Sequence, residues 1–199
     1  MKLFYVPGAC SLGPHIVINE AGLDVALDKV AFGKGRTTQD GRNFYDINPQ
    51  GAVPALELDN GDVLTEAQVL LQYLAAQNPK AELAITDGPL HWRFLETLNF
   101  IATELHKGTG PLFKSNPDEV KEAAKANLVN RYKLLEQKLG DQDYLLGKFT
   151  VADAYAFVVL NWAKRFEVSV PAKLNSYFER IRARPAVQKT LQEEGLPTS

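Results

Sequence analysis

The sequence predicts two domains, an N-terminal α+β domain followed by an all-α domain. Three observations support this division. Short alternating apolar runs and a hairpin signal occupy the first 80 residues, whereas helical periods dominate from about Pro89 onward. Between these regions, Thr86-Asp87-Gly88-Pro89 has the composition of a linker. We therefore place the two domains at residues 1–80 and 87–199.

The composition is that of an ordinary globular protein, with 45% hydrophobic and 23% charged residues. A net charge of −2 gives no reason to expect nucleic acid or an anionic membrane as a partner. No run approaches the ~20 apolar residues of a membrane span. The first residues read as a strand, without the basic and long apolar segments of a signal peptide. These features predict a cytoplasmic protein that binds neither nucleic acid nor membranes.

Alternation and turn signals define the elements of the first domain. Their order, β-α-β and then β-β-α, matches a thioredoxin-like domain in which the first crossover is right-handed. The predicted elements are a strand over 2–6, a helix from Leu12 to Gly22, a strand over 25–30, a loop over 31–42, a short helix over 43–47, strands over 54–58 and 63–64, and a helix over 66–77.

The second domain is predicted to be entirely helical, because apolar residues recur at helical spacing across residues 94–105. Asn116 is the expected N-cap of a long helix, with Pro117 at its first position. Thr150 and Asp153 are three residues apart, as in a capping box. We therefore interpret Asp153 as a structural cap and not as a catalytic acid. Two later helix starts are marked by Pro171 and Pro185.

Cys10 is the only cysteine of the chain and lies between the first strand and the first helix. The positive end of the helix would lower the pKa of this thiol and make it reactive. Free cysteines are also among the most buried residues, so a packing role is the second interpretation. A single cysteine excludes an internal disulfide and a cysteine-based zinc site. Any oxidised state of Cys10 must be resolved by an external thiol, which points to glutathione if the residue is functional.

Two further segments could hold a peptide-like ligand. Pro54 opens a strand expected at the centre of the sheet, where proline cannot donate to the ladder, and this favours a cis bond. The backbone of Val53 would then be free to pair with a peptide, although an edge-strand proline is the alternative. Glu66 and the first N–H groups of the next helix could hold the charged end of an amino acid. Helix capping is the favoured interpretation of Thr65, and it would explain Glu66 equally well.

Asn99, Thr103 and His106 follow the i, i+4, i+7 spacing and should share one helix face. A polar stripe usually means a solvated face, but these short hydrogen-bonding side chains would also suit a ligand. His106 could donate to a thiolate. The three histidines of the chain lack the spacing of metal ligands, so we expect no metal site.

Taken together, these segments closely resemble the bacterial beta-class glutathione S-transferases over essentially the whole chain. Cys10, in place of the Tyr or Ser of other classes, marks the beta class. The segments that carry the resemblance are residues 2–16, Asn48-Pro49-Gln50-Gly51, Val53-Pro54-Ala55-Leu56, Leu64-Thr65-Glu66, Asn99 with Thr103-Glu104-Leu105-His106-Lys107, Phe149–Tyr155, and Arg184-Pro185-Ala186-Val187.

The resemblance implies the glutathione transferase fold, a thioredoxin-like domain followed by an all-α domain, and a homodimer. It also implies that Cys10 faces the glutathione sulfur and can form a mixed disulfide with it, with Cys10 and His106 as catalytic residues. A basic residue near position 35 should meet the glycyl carboxylate, and Lys34 and Arg36 are the candidates. The implied glutathione-binding residues are Cys10, Val53, Pro54, Glu66, Ala67, Asn99, Thr103 and His106.

We therefore expect a cytoplasmic detoxification enzyme that uses glutathione as co-substrate and conjugates it to small hydrophobic electrophiles. Glutathione-dependent reduction of disulfides or peroxides through Cys10 is the expected side activity. A non-enzymatic ligand carrier or interaction module of the same fold is the alternative. The electrophile should contact an apolar lining of Leu112, Phe113, Trp162 and Phe166.

Overall fold

The computed structural model describes residues 1–33 and 35–198, and it divides into two compact units. One unit comprises Met1–Leu83 and Pro185–Ser199, and the other Ala84–Arg184. The sequence-based division at 1–80 and 87–199 differs from this at its C-terminal end. The helix that begins at Pro185 packs with the first unit, a long-range contact that no local pattern reports.

A four-stranded mixed sheet forms the centre of the first unit. Its strands, numbered in chain order, are β1 Lys2–Tyr5, β2 Ala26–Lys29, β5 Ala55–Glu57 and β6 Val63–Thr65, and they lie in the order β2-β1-β5-β6. β1 pairs parallel with β2 and antiparallel with β5, and β5 pairs antiparallel with β6. Leu3, Phe4 and Leu56 lie on the two central strands and are fully buried. This confirms the predicted thioredoxin-like arrangement.

Three α-helices accompany this sheet: α1 Leu12–Ala21, α2 Ala67–Gln77 and α8 Pro185–Glu193. α1 packs against both α2 and α8. Gly22 ends α1 in the left-handed conformation at φ 63°, as its position in the sequence predicted. A short 3₁₀ helix over Phe44–Asp46 matches the short helix expected at 43–47.

The segment 31–42 contains a small second sheet, so its prediction as loop was wrong in part. β3 Ala31–Phe32 pairs antiparallel with β4 Arg36–Thr37. The guanidinium of Arg36 lies 4.2 Å from the centre of the Phe32 ring. Strands of two residues are too short to show a period of two, and for this reason the sequence pattern missed them.

The second unit is helical, as predicted. A first helix runs over Gly88–Phe100, turns π-helical over Ile101–His106, and ends with Lys107–Thr109. Counted in chain order, these two α-helical parts are α3 and α4. Among the described residues, no helix of either unit is both long enough and apolar enough to cross a membrane. The remaining helices of the second unit are α5 Asp118–Leu139, α6 Val151–Arg165 and α7 Ala172–Arg182.

α6 is the central helix of the second unit, and its N-terminus carries the predicted capping box. The Thr150 hydroxyl accepts from Ala152 N, and the Asp153 carboxylate accepts from Thr150 N at 2.8 Å. The N-cap expected at Asn116 was wrong by one residue. α5 begins after Pro117, and the Asn116 side chain donates instead to the carbonyl of Pro111 at 2.9 Å.

Candidate active site

The loop after β1 brings Cys10 to the residue before Pro54. The Cys10 thiol donates a hydrogen bond to the Val53 carbonyl, with 3.0 Å between sulfur and oxygen. The Val53–Pro54 peptide bond is cis, as the central position of Pro54 predicted. Cys10 is half-buried. Three of the predicted site residues therefore lie together in the first unit.

The electrostatic expectation for Cys10 was wrong for the free protein. Burial raises the pKa of the Cys10 thiol to about 12 from an ordinary value of 9.0. The backbone N–H groups of Cys10 and Ser11 lower this pKa, as expected near the start of a helix, but desolvation of the thiolate outweighs them. The Glu66 carboxylate adds to the rise. Cys10 is therefore a protonated hydrogen-bond donor when no ligand is present.

Glu66 and Ala67 stand where β6 passes into α2. Glu66 adopts φ 70° and ψ 115°, a left-handed conformation that is uncommon for a residue with a side chain. Its side chain is exposed and makes no capping bond, which disfavours the capping interpretation. Ala67 is buried. The N–H groups of Val69 and Leu70 donate to the Glu66 carbonyl at 2.9 and 3.0 Å, whereas those of Ala67 and Gln68 have no acceptor within the helix. This corner thus combines a carboxylate with free helix donors.

Of the two candidates for the glycyl carboxylate, Lys34 lies outside the described residues. Arg36 lies on β4, with its guanidinium close to two aromatic rings. The centre of the Tyr45 ring is 5.8 Å from the guanidinium carbon. Glycine suits position 51, because its φ is 61° and a Cβ there would overlap the Tyr45 ring and lie 3.1 Å from Arg36 Nη1.

His106 differs in burial from the two polar residues with which it was expected to share a helix face. Asn99 and Thr103 are both exposed, and the Thr103 hydroxyl donates to the Asn99 carbonyl at 3.0 Å. His106 is half-buried, with Nδ1 2.6 Å from the Tyr155 hydroxyl of α6. The π-helical turn over Ile101–His106 changes the spacing on which the single face was predicted.

His106 belongs to an aromatic cluster, which we define as His106, Phe113, Tyr155, Trp162 and Phe166. The His106 ring meets Trp162 edge-on at 5.0 Å, and Phe113 meets Trp162 at 5.1 Å and Phe166 at 4.7 Å. Phe113 is 47% exposed, whereas Trp162 is only 3% exposed. The structure thus brings together three of the four residues expected to line an electrophile site. Leu112, the fourth, is buried beside Phe113.

Two family models match the chain. The N-terminal domain of glutathione S-transferase matches residues 8–77, and the C-terminal domain matches residues 100–185. Glutathione S-transferase GstA of Escherichia coli O157:H7 is 41% identical over 201 residues, which cover 98% of this chain and 100% of the relative. The chain belongs to the glutathione S-transferase family. A more distant relative, the disulfide-bond oxidoreductase YfcG of Escherichia coli K12, is 27% identical over 96% of this chain and 94% of its own.

Solved glutathione S-transferases have the same fold. The sphingomonad enzyme, in complex with glutathione, superposes with a TM-score of 0.91 at 41% identity over 99% of this chain and all of its own. The beta-class enzyme of Sphingomonas chungbukensis gives a TM-score of 0.91 at 40% identity, with the same coverage. In this transferase-family chain, no group of three or more His, Cys, Asp or Glu residues among those described is placed to hold a metal ion.

Sequence reasoning missed one group of residues beside the Cys10 loop of this transferase-family chain. His15 of α1 is buried between Glu193 and Glu194 at the end of α8. Glu194 also accepts from the Gly8 N–H at 2.8 Å. These contacts span 178 to 186 positions of the chain. The sequence offered only an isolated histidine near Cys10, and no local signal connects it to the C-terminal glutamates.

We expect His106 to be neutral at pH 7, because burial lowers its pKa below the ordinary 6.5. The unfolded chain then takes up its proton first as the pH falls. This side chain should therefore reduce the free energy of unfolding as the pH drops through 6.5 towards the native pKa. A proton NMR titration of the histidines checks the midpoint, and loss of a resonance in His106→Asn identifies the residue.

Tyr155→Phe is the matched variant for this titration. It removes the hydroxyl at 2.6 Å from His106 but leaves the aromatic surroundings in place. Because burial is the cause of the lowered pKa, the midpoint should stay below 6.5 in this variant. A midpoint at or above 6.5 in the unmodified protein would contradict the assignment.

Proposed function

We propose that this protein is a cytoplasmic, homodimeric beta-class glutathione transferase. It conjugates glutathione to small hydrophobic electrophiles in detoxification, and it reduces disulfides through Cys10. Relatives that carry the transferase name over the full chain support the first activity, and the disulfide-bond oxidoreductase relative supports the second. The beta-class assignment is supported by Cys10 and by the beta-class neighbour.

The observation that carries the proposal is the contact between the Cys10 thiol and the Val53 carbonyl, 3.0 Å apart, beside the cis bond to Pro54. A carbonyl oxygen has two lone pairs. Val53 can therefore accept the cysteinyl N–H of glutathione as a further strand would donate it. A cysteinyl residue bound in this way has its own sulfur close to Cys10.

The corner at Glu66 suits the γ-glutamyl end of glutathione. That end carries both an ammonium and a carboxylate. The exposed Glu66 carboxylate can pair with the ammonium, while the free N–H groups at the start of α2 hold the carboxylate. The roles of Asn99, Thr103 and His106 on this ligand stay predictions from the family resemblance.

Conjugation needs a glutathione thiolate held next to an electrophilic carbon. The thiol proton leaves to solvent, the sulfur forms a bond to carbon, and the leaving group departs with its electron pair. Protein N–H and thiol donors near the sulfur favour its anionic form. Cys10 is suited to this as a donor once its single S–H turns from the Val53 carbonyl to the glutathione sulfur, since its own pKa of about 12 keeps it protonated. Orientation of the two reactants supplies the rest of the rate enhancement.

Disulfide reduction uses Cys10 as the nucleophile. Cys10 gives its proton to solvent, and its sulfur attacks one sulfur of a disulfide to form a mixed disulfide, while the other sulfur leaves as a thiolate. Two glutathione molecules are then consumed, since one releases Cys10 and a second reduces the remaining mixed disulfide. The products are two thiols and glutathione disulfide. Because the chain has one cysteine, the resolving thiol must come from glutathione.

The aromatic cluster, His106, Phe113, Tyr155, Trp162 and Phe166, suits a flat apolar electrophile. The half-exposed Phe113 ring provides a surface for stacking. Arg165 lies 5.6 Å from the Phe113 ring and 5.5 Å from the Phe166 ring, so the rim of this surface is cationic.

Isothermal calorimetry with glutathione tests the proposal. We expect a dissociation constant well below 10 mM. Glu66→Gln should raise this constant about tenfold, which corresponds to about 1.4 kcal/mol for loss of the ion pair with the ammonium. Asp24→Asn, an exposed carboxylate of the same unit, is the matched control and should bind as the unmodified protein does.

The two enzymatic activities separate the proposal from its alternative. Tight binding with neither conjugation nor disulfide reduction would indicate a ligand carrier. A dissociation constant of about 10 mM or more would contradict the assignment of glutathione as the ligand. A mass spectrum under non-reducing conditions adds a direct check, because a glutathione-sized adduct on Cys10 should appear and be lost on reduction.

A further inference from the structure

A buried carboxylate near the end of the chain contacts the loop that carries Cys10. The side chain of Glu194 is fully shielded from solvent. Its Oε2 accepts a hydrogen bond from the backbone N–H of Gly8 at 2.8 Å. Its Oε1 lies 2.9 Å from His15 Nδ1. A buried carboxylate is costly unless it is paired, so these two contacts compensate its desolvation.

The His15 ring links this carboxylate to a second one. His15 Nε2 lies 2.9 Å from Glu193 Oε2, and the ring is 1% exposed. Each ring nitrogen of His15 thus lies within hydrogen-bond distance of one glutamate oxygen. Asn19 donates to the same Glu193 oxygen at 2.8 Å, which ties α1 to the end of α8. The contact between His15 and Glu193 is therefore supported by a second contact between α1 and α8.

Gly8 stands two residues before Cys10, in a turn that belongs to no strand or helix. Its φ of 69° is a conformation that few other residues adopt. Leu196 packs over it, since a Cβ at Gly8 would lie 3.6 Å from Leu196 Cδ2. Two residues after α8 thus contact the turn, Glu194 through a charge-assisted hydrogen bond and Leu196 through an apolar contact. These add to the bond within the turn from Ala9 N to the Val6 carbonyl at 3.0 Å.

We propose that Glu194 and His15 are positioning residues for Cys10. Glu194 holds the Gly8 turn in place, and His15 holds the Glu194 carboxylate. Once the Gly8 turn is held, the Cys10 thiol stays directed at the Val53 carbonyl. The C-terminal segment beyond α8 therefore helps to control access to the Cys10 thiol. The effect of this control on the reaction of Cys10 with glutathione rests on the proposed function, whereas the control of Cys10 itself does not.

The reaction of Cys10 with the chromogenic disulfide dithiobis(nitrobenzoate) tests this without glutathione. The Cys10 thiolate attacks the disulfide, the mixed disulfide forms, and a coloured aryl thiolate leaves; the thiol proton passes to buffer. Loss of the Gly8 bond in Glu194→Ala should free and hydrate Cys10, whose pKa then falls from about 12 towards its ordinary value. We expect the reaction at pH 8 to become at least about tenfold faster.

Two variants distinguish positioning from a general loss of stability. Glu194→Gln keeps an oxygen for the Gly8 N–H and should react within about threefold of the unmodified protein. Glu193→Ala removes a His15 contact but does not touch Gly8, so it should lower stability and leave the Cys10 rate unchanged. Equal rates for Glu194→Ala and the unmodified protein, or a Glu193→Ala rate equal to an accelerated Glu194→Ala rate, would overturn the proposal.

Hydrogen exchange in the unmodified protein gives a second test that requires no variant. The Gly8 amide lies in a turn but donates to a fully buried carboxylate. We expect it to exchange at least about tenfold more slowly than an unbonded turn amide. Exchange at the unprotected rate would show that Glu194 does not hold the turn. A protein that failed to bind glutathione could still pass both tests, so the two proposals fail separately.

Discussion

Replacing Cys10 with serine should abolish glutathione-dependent disulfide reduction, by more than about a thousandfold, and lower conjugation by less than about tenfold. Serine keeps a hydroxyl that can donate to the Val53 carbonyl, as the thiol does at 3.0 Å. It cannot form a disulfide, and the chain contains no other cysteine to replace it. The two activities should therefore separate in this one variant.

The pKa of Cys10 is the reason for expecting conjugation to survive. A thiol with a pKa of about 12 carries almost no negative charge at neutral pH, so it cannot act as the base that removes the glutathione proton. Its contribution to conjugation is a hydrogen bond, which serine also provides. Cys10→Ala removes that bond as well and measures its share, which should be about 1 kcal/mol or less than tenfold in rate.

Steady-state assays with an aromatic halide and with a small disulfide measure both activities in parallel. The unfolding midpoints of the variants serve as the control for folding. A fall in conjugation of more than a hundredfold in both variants would give Cys10 a role in activating glutathione. Retained disulfide reduction would show that Cys10 is not the nucleophile.

Replacing Asp153 with alanine should destabilise the protein by about 4 kcal/mol. This carboxylate is fully buried and accepts from Leu145 N at 2.9 Å, from Thr150 N at 2.8 Å and from the Tyr177 hydroxyl at 2.7 Å. Alanine would leave these donors buried without an acceptor and remove the cap of α6. Each unmet buried donor costs about 1–3 kcal/mol, so the total is large for one side chain.

Urea unfolding followed by circular dichroism measures this loss. Asp153→Asn should lower the free energy of unfolding less than alanine does, because its amide oxygen still accepts a hydrogen bond. Some loss remains, since its NH₂ group faces donors. Asp141→Ala is the matched control. That carboxylate is exposed and pairs with Lys173 on the surface, so its removal should change the free energy of unfolding by less than about 1 kcal/mol. A loss below 1 kcal/mol in Asp153→Ala would contradict the structural role given to this residue.

Much of the fold could be predicted because the relevant signals are local. Alternation in residues 2–6 and 54–58 marked strands of the central sheet, and the spacing of Thr150 and Asp153 marked the start of α6. The cis bond before Pro54 followed from its central position, where a proline, which has no N–H, cannot donate to the ladder. The two-residue strands β3 and β4 were missed because they have no measurable period.

The site was predicted less completely, because electrostatics and long-range contacts are not local. The helix N-terminus near Cys10 was visible in the sequence, but the burial that outweighs it was not. His106 was expected on one face with Asn99 and Thr103. The structure shows these two exposed and His106 half-buried in the aromatic cluster, and the π-helical turn changes the spacing. The strained backbone of Glu66 also appeared only in three dimensions.

It follows from the residues alone that this protein has one thiol, that any oxidised form of this thiol needs an outside thiol, and which segments build most of the central sheet and the helices. Composition and periodicity can be read without knowing which distant residues meet. The protonation state of the thiol depends on the folded structure. The carbonyl that accepts from the thiol belongs to Val53, 43 positions from Cys10. The carboxylate that holds the turn belongs to Glu194, 186 positions from Gly8. Such contacts exist only once the chain is folded.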